Sequence, residues 1–368
     1  MLKKYHWRNY SFKLFLTVMI LCGLGTVYIY AAKPEYINKQ LLGMVMAFFI
    51  ITIVSLIDYN LILKYIWVIY AINVVMLIGV KLFGLNVNGA TRWFSIKGFG
   101  TLQPSEFSKI IMILFAAYFL DKHKDSLNEW KTIGKFAILC LFPVSLILIE
   151  TDLSTSIDIC MILAAIYFVA GLSWKRIILI LSVALAIGGV FIADATRENP
   201  IIPDYMVNRI LSFIDPAEHH DAGAYQQTNS VMAIGSGQLK GKGLFSDSLA
   251  TVKDAKLVSE QQTDFIFSIV GEMTGFIGCM IVIALLVLIV LQCIGIARKA
   301  KDMQGILIAT GVSALFAFQS FMNIGVATQL LPNTGLPLPF VSYGLSSLVG
   351  SSIGIGLVIN IGLQRRKY

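Results

Sequence analysis

Apolar residues run along this chain in blocks of about 17 to 25, without the three-and-four spacing of an amphipathic helix or the alternation of a half-buried strand. The blocks recur from Leu14 to Leu363, separated by short breaks that carry charge, glycine or proline. Each is long enough to cross about 30 Å of hydrocarbon as a helix. Met280 to Gly295 is apolar on every face, which excludes barrel strands, whose faces alternate. The pattern predicts an all-α polytopic membrane protein with ten transmembrane helices, near residues 14–31, 40–57, 65–83, 105–120, 133–149, 153–171, 177–193, 265–297, 304–322 and 340–363. A single integral membrane domain then covers residues 1–368, with no room for a separate water-soluble one. Lys3, Lys4 and Arg8 before an apolar run imitate a signal peptide, but the run is long and nine more follow, so it reads as a first anchor.

Composition agrees, since 57% of the 368 residues are hydrophobic and 14% charged, against about 25% charged in soluble domains. Cys22, Cys140, Cys160, Cys279 and Cys293 all sit inside apolar runs without a CxxC pair, as small buried hydrophobes do. His6, His123, His219 and His220 are not at zinc-ligand spacing. The net charge of +8 could suggest nucleic acid, but its placement follows the membrane. With the N-terminus inside, 17 of the 29 Lys and Arg fall on inner segments, five on short outer loops, six on the long seventh loop and one, Lys109, in a span. The positive-inside rule therefore puts both termini in the cytoplasm.

The seventh loop, residues 194–263, is longer than ordinary connections and lies on the outer side. Tyr205, Phe213, Tyr225 and Phe245, with glycines at 235, 237, 241 and 243, make it read as ordered and functional. Its nine acids outnumber its six bases, which excludes a nucleic-acid surface.

Charges in or at the ends of spans are costly, and each is a functional candidate. Glu106 and Lys109, three apart at the start of the fourth span, fall on one helix face as an ion pair, structural or functional. Pro104 takes the first-turn position, and Ser105 and Glu106 suit the positive helix end. Glu150 and Asp152 sit at the junction of spans five and six, where capping explains Asp152 as well as chemistry does. Asp158 is deeper, where packing against a polar partner is the plainer role. Asp264 leads from the long loop into Phe265-Ile266-Phe267 at the membrane surface. It is either an N-terminal cap or, with a pKa raised by desolvation, a general base near neutral pH. Glu272, eight residues on, could couple to it. Leu331 to Tyr343 holds Pro332, Gly335, Pro337 and Pro339, so it cannot be one helix. It reads as a re-entrant segment before the tenth span, bordering a cavity or simply turning.

Eight stretches resemble a known family: NGATRW (88–93), QPSEFSK (103–109), ETDLSTS (150–156), RILSFIDP (209–216), AYQQTNS (224–230), AIGSGQLKGKG (233–243), EQQTDFIFSIVGE (260–272) and LPNTGLPLPFVSYG (331–344). In this order they resemble the SEDS family of bacterial cell-wall proteins, to which RodA, FtsW and SpoVE belong. The chain departs from the usual family wording at Thr151, Ser154, Asn229, Ser259, Gln262 and Leu345, none of them charged.

The resemblance implies a peptidoglycan glycosyltransferase of the bacterial cytoplasmic membrane. Its substrate would be lipid II, the undecaprenyl-pyrophosphoryl disaccharide-pentapeptide, polymerised into glycan outside the cell. Asp264 would be the catalytic base, and Arg92, Lys97, Lys109, Arg209, Lys240 and Lys242 the cations available to the pyrophosphate. Glu106, Asp152, Glu260, Glu272 and Ser342 complete the substrate-contacting set that the motifs imply. No organic cofactor is implied, although a divalent cation (Mg2+ or Mn2+) could assist the leaving group in place of a side chain. A class B penicillin-binding protein transpeptidase, within an elongation or division complex, is the implied partner. The alternatives are a lipid II flippase, which would need a comparable inner set of polar residues, and a division or sporulation polymerase. Short termini favour elongation.

Overall fold

The computed structural model describes residues 7–87, 90–96, 100–197, 200–214, 222–243 and 260–365. Lys97, and Asp215, Glu218, Asp221 and Phe245 of the long loop, lie outside them. The helices are α1 (Phe12–Ala32), α2 (Ile37–Leu56), α3 (Tyr59–Lys64), α4 (Ile66–Phe83), α5 (Pro104–Lys122), α6 (Trp130–Ile149), α7 (Leu153–Ala170), α8 (Trp174–Ala195), α9 (Asp204–Ile214), α10 (Ala222–Ser236), α11 (Ile266–Ala297), α12 (Met303–Ala327) and α13 (Leu345–Leu363).

Among the described residues nine helices are long and apolar enough to cross a membrane: α1, α2, α4, α6, α7, α8, α11, α12 and α13. The remaining expected span, α5, carries Glu106, Lys109, Asp121 and Lys122 in 19 residues. It packs against α4, α7, α12 and α13. Ser105 near its start bonds Asp152, and Asp121 near its end accepts from Gln304 at 2.8 Å, so α5 runs the length of its neighbours.

Burial separates the centre of the bundle from its rim. The apolar window of α13 is 72% buried and that of α12 is 67%, whereas in α8 it is 6%. With no hydrophobic drive between lipid and an apolar helix, small residues and polar groups have to hold such helices together. Glycines at 350, 354 and 356 let α13 lie close to α2, α5 and α12.

The structure departs from the sequence expectation in three places. The segments β1 (Leu85–Val87), β2 (Ala90–Ile96) and β3 (Gly100–Leu102) form a three-stranded antiparallel sheet, where the run Thr91-Arg92-Trp93-Phe94 favours extended backbone. The tenth span begins at Leu345 and not near 340, because residues 338–343 spend their backbone groups elsewhere: Leu338 N bonds Ser342 Oγ and Tyr343 N bonds Gln262 O. The eighth span is broken at Gly275, whose φ of 64° and ψ of −160° leave the helical region. Its 32 residues would measure about 48 Å if straight, well beyond one hydrocarbon thickness.

The segment after α10 fills that break. Phe276 N and Ile277 N donate to Gln238 O and Leu239 O at 2.8 and 3.2 Å, and Lys242 N and Gly243 N donate to Glu272 O and Met273 O at 2.9 and 3.0 Å. The orphaned helix groups are thereby satisfied within the protein, as membrane depth requires. A Cβ on Gly275 would lie 2.7 Å from Leu239 O, so glycine is needed there for space as well as for its positive φ.

Candidate functional site

Asp264 sits in the turn from Glu260 to Phe265 that enters α11. The helix begins on Phe265 without a side-chain cap, so of the two readings of Asp264 the capping one does not apply. The turn is fastened through its backbone instead. Asn323 Nδ2 donates to Asp264 O at 2.8 Å and to Leu336 O at 2.7 Å, and Ser342 Oγ donates to Thr263 O at 2.6 Å. Tyr343 N donates to Gln262 O at 2.9 Å. These bonds clamp the turn to the proline-rich segment, and among the described residues none reaches the Asp264 carboxylate.

That carboxylate borders a cavity of about 440 Å³. Its lining brings together Arg92 and Trp93 of β2, Glu106 of α5, Asp152 and Thr155 at the start of α7, Arg209 of α9, Glu260 and Asp264, and residues 333–337 and 343–347. Burial raises the Asp264 carboxyl to about 7, with the charge of Glu260 adding to the effect and Arg92 and Arg209 only partly offsetting it.

Arg92 crosses from the sheet to the turn between α6 and α7. It donates to the main-chain oxygens of Glu150 (3.1 Å) and Thr151, and its Nη1 lies 3.8 Å from Asp152 Oδ1. Asp152 both caps α7, accepting from Thr155 N at 3.2 Å and Thr155 Oγ1 at 2.9 Å, and faces the cavity. Gln103 Nε2 donates to its second oxygen at 3.2 Å. Glu150 is fully buried with neither carboxyl oxygen hydrogen-bonded among the described residues, and desolvation pushes it up to about 8, assisted by the charge of Asp152.

Glu106 and Lys109 form the ion pair expected from their spacing, at 2.9 Å and buried on both sides. Glu106 reaches the cavity while Lys109 stays behind it. Lys109 Nζ also donates to Gln319 Oε1 at 3.1 Å, and Gln319 Nε2 donates to Pro337 O at 2.8 Å. A continuous polar path therefore runs from the ion pair to the segment that faces Asp264. Asp158, expected to pack against a polar partner, is fully buried with no hydrogen bond to either oxygen among the described residues, the charge of Lys109 being felt there without contact.

Other motif residues lie apart from the cavity. Lys242 Nζ pairs with the buried Glu272 at 2.8 Å beside the break in α11, so Glu272 is linked to Lys242 and the Asp264 carboxyl to Glu260. Lys240 is exposed near that break, and Ser342 acts as a fastener behind the turn. Gln103, the first residue of the QPSEFSK motif, helps hold the site together, as do Gln319 and Asn323, which no motif includes, although that pair, four apart in an otherwise apolar helix, is the signal that could have found them. Among the described residues no three acidic, histidine or cysteine side chains converge as a metal-holding group, and no step is derived through a metal ion.

The arrangement can do one thing well. A carboxylate close to half-ionised at neutral pH, without a hydrogen bond from any described residue, can take a proton from a hydroxyl, while guanidinium groups on the same cavity oppose negative charge on a departing anion.

A family model described as cell cycle protein, FtsW/RodA/SpoVE, matches residues 10–367. The probable peptidoglycan glycosyltransferase FtsW of Aliivibrio salmonicida is 31% identical over 339 residues, covering 91% of this chain and 81% of that protein. The peptidoglycan glycosyltransferase MrdB of Escherichia coli K12 is 33% identical over 297 residues, covering 81% and 77%. A chain of a solved peptidoglycan synthase complex superposes with a TM-score of 0.80 at 24% identity over 97% of this chain and 98% of that one. The rod shape determining protein RodA of Thermus thermophilus gives 0.72 at 24% over 98% and 99%. With motifs, fold and nearly the full length in agreement, this chain belongs to the FtsW/RodA/SpoVE family of cell cycle proteins.

Proposed function

We propose that this protein is a peptidoglycan glycosyltransferase that polymerises lipid II at the outer face of the bacterial cytoplasmic membrane, with Asp264 as its general base. The observation that carries the reading is the Asp264 carboxylate, without a hydrogen bond from any described residue and raised to about 7, on a cavity that Arg92 and Arg209 also line. The names of the curated relatives support the same activity.

In the step proposed, the 4-hydroxyl oxygen of the acceptor N-acetylglucosamine attacks C1 of the donor N-acetylmuramic acid as Asp264 takes its proton. The new O–C1 bond forms opposite the breaking bond to phosphate, which inverts the anomeric carbon, and undecaprenyl pyrophosphate leaves with the bonding electrons. One base suffices because pyrophosphate is already a good leaving group, unlike the sugar oxygen that a hydrolase has to protonate. Arg92 and Arg209 are assigned to the charge of the pyrophosphate, and Glu106, Asp152 and Glu260 to shaping the acceptor side.

In this reading α5 is a tenth crossing, both termini are cytoplasmic, and residues 194–263 with 331–339 are external. A class B penicillin-binding protein is the proposed partner, since a related fold occurs in a peptidoglycan synthase complex. A cysteine placed at Gln226 should react with an impermeant reagent in intact cells while one at Lys299 stays protected. Labelled lipid II given to the purified protein and its partner should yield glycan; translocation across proteoliposomes without polymer would mark a flippase instead. We assign the copy to elongation, so depletion should round the cells, whereas filaments would assign it to division.

A further inference from the structure

At the end of the bundle away from Asp264, a second cavity of about 580 Å³ opens where the start of α1 meets the ends of α11 and α13. Arg8, Lys13, Lys299 and Arg365 line it, and among the described residues no acidic one does. None of the four makes an ion pair among the described residues. Arg365 is oriented by Asn9, whose Oδ1 accepts from Nη2 at 2.5 Å.

Helix ends explain half of this cluster. Lys299 and Arg365 follow the C-termini of α11 and α13, where a cation complements the dipole. Arg8 and Lys13 do the opposite, since they flank the N-terminus of α1, the positive end, which has no acidic residue in its first turn and no side-chain cap. Two cations at an unfavourable helix end, converging with two more on one concavity, describe a site for an anion.

The cavity is also continuous with apolar surface. Gly295 lines it, and nothing lies within 4 Å of where its Cβ would be, so the missing side chain leaves open space. Leu291 and Leu288 follow Gly295 on one face of α11, while Phe12, Leu16 and Ile20 recur at four-residue spacing along α1. All five are exposed, and α1 packs beside α11. An occupant that matches both halves carries a negative head and hydrocarbon tails.

We propose that this cavity binds an anionic phospholipid, its phosphate among Arg8, Lys13, Lys299 and Arg365 and its acyl chains along the exposed faces of α1 and α11. A second lipid site at the opposite end from the reaction cavity would tie the packing of α1, α11 and α13 to the charge of the surrounding leaflet.

The test uses the purified full-length protein in neutral detergent, with dioleoyl-phosphatidylglycerol, dioleoyl-phosphatidylcholine and inorganic phosphate as probes, read by native mass spectrometry. Wild type should retain phosphatidylglycerol in preference to phosphatidylcholine, and millimolar phosphate should not displace it. Each cation near an anionic headgroup is worth about fivefold in affinity, so Lys299→Gln with Arg365→Gln should weaken retention by about thirtyfold. Gly295→Leu keeps every charge and fills the space, and should weaken it as well. Melting in phosphatidylcholine alone checks that each variant is folded, and either folded variant suffices for the test. Equal retention of the two lipids by wild type, retention of phosphatidylglycerol unchanged in a folded variant, or displacement by phosphate would overturn the proposal.

Discussion

The Asp264 carboxylate occupies the space that a side chain at Gly335 would need: a Cβ on residue 335 would lie 3.1 Å from Asp264 Oδ2, and the backbone there has φ of 74°. The only residue type that is both unstrained in that conformation and short enough to leave the carboxylate its place is glycine. Gly335→Ala is therefore expected to cost about 1 to 2 kcal/mol in backbone strain and to press on the carboxylate. Polymerisation per folded molecule should fall by about tenfold or more, measured as glycan formed from labelled lipid II by equal amounts of folded protein. An unchanged rate would show that position 335 tolerates a side chain against Asp264.

The Glu106–Lys109 pair should behave as a unit with Gln319. Removing one member of a buried pair typically costs about 3 to 5 kcal/mol because the other charge is stranded, so Lys109→Met should lower the melting temperature sharply. Glu106→Gln with Lys109→Met should lower it less than the sum of the single changes. Additive losses in that cycle, read by thermal unfolding in detergent, would mean that the pair is not coupled.

Glu150 sets a distinct pH dependence. Its folded pKa of about 8 lies above the ordinary glutamate value of 4.5, so the folded state holds the proton more tightly and stability falls as pH rises between the two. Each pH unit across that window is worth about 1.4 kcal/mol at most. Glu150→Gln removes the titration while keeping the shape, so the melting temperature of the variant relative to wild type should climb from about pH 5 to about pH 8. A difference that stays flat over that range would mean that the group is solvated or paired.

Lys242→Met tests what a motif lysine does. The side chain ends 2.8 Å from the buried Glu272, beside the break in α11 and outside the lining of the reaction cavity. Folded yield should drop, while the rate per folded molecule should stay within about threefold, since the loss is a stranded charge and not a missing substrate contact. A rate loss much larger than the loss of yield would return Lys242 to the donor pyrophosphate.

Most of the bundle was legible because apolar blocks are a strong signal; the positions of α1, α2, α4, α5, α6, α7 and α8 follow them closely. The pairing of Glu106 with Lys109 and the capping by Asp152 were also legible, since both are local in sequence. The break at Gly275 was not, because its cause is the distant segment 238–243, which takes over the helix's own hydrogen bonds. The sheet at 85–102 hid for a similar reason: three short strands carry little pattern of their own. Within the site, sequence reasoning found the charged residues on the cavity and missed the amides that fasten it. Gln319 and Asn323 show why, since each bonds main-chain carbonyls of a segment that no local pattern places beside them.

If Asp264 takes the acceptor proton, the rate of glycan formation has to depend on pH in wild type in a way that Asp264→Asn abolishes. With the carboxyl at about 7, the base form is lost on acidification, so the wild-type rate at limiting lipid II should fall about tenfold per unit well below pH 7 and level off above it. Asp264→Asn should fold, retain its transpeptidase partner and lose about 10² to 10⁴ in rate, with the inflection near 7 gone from whatever activity is left. A folded Asp264→Asn protein that makes glycan at the wild-type rate with the same inflection would contradict the account.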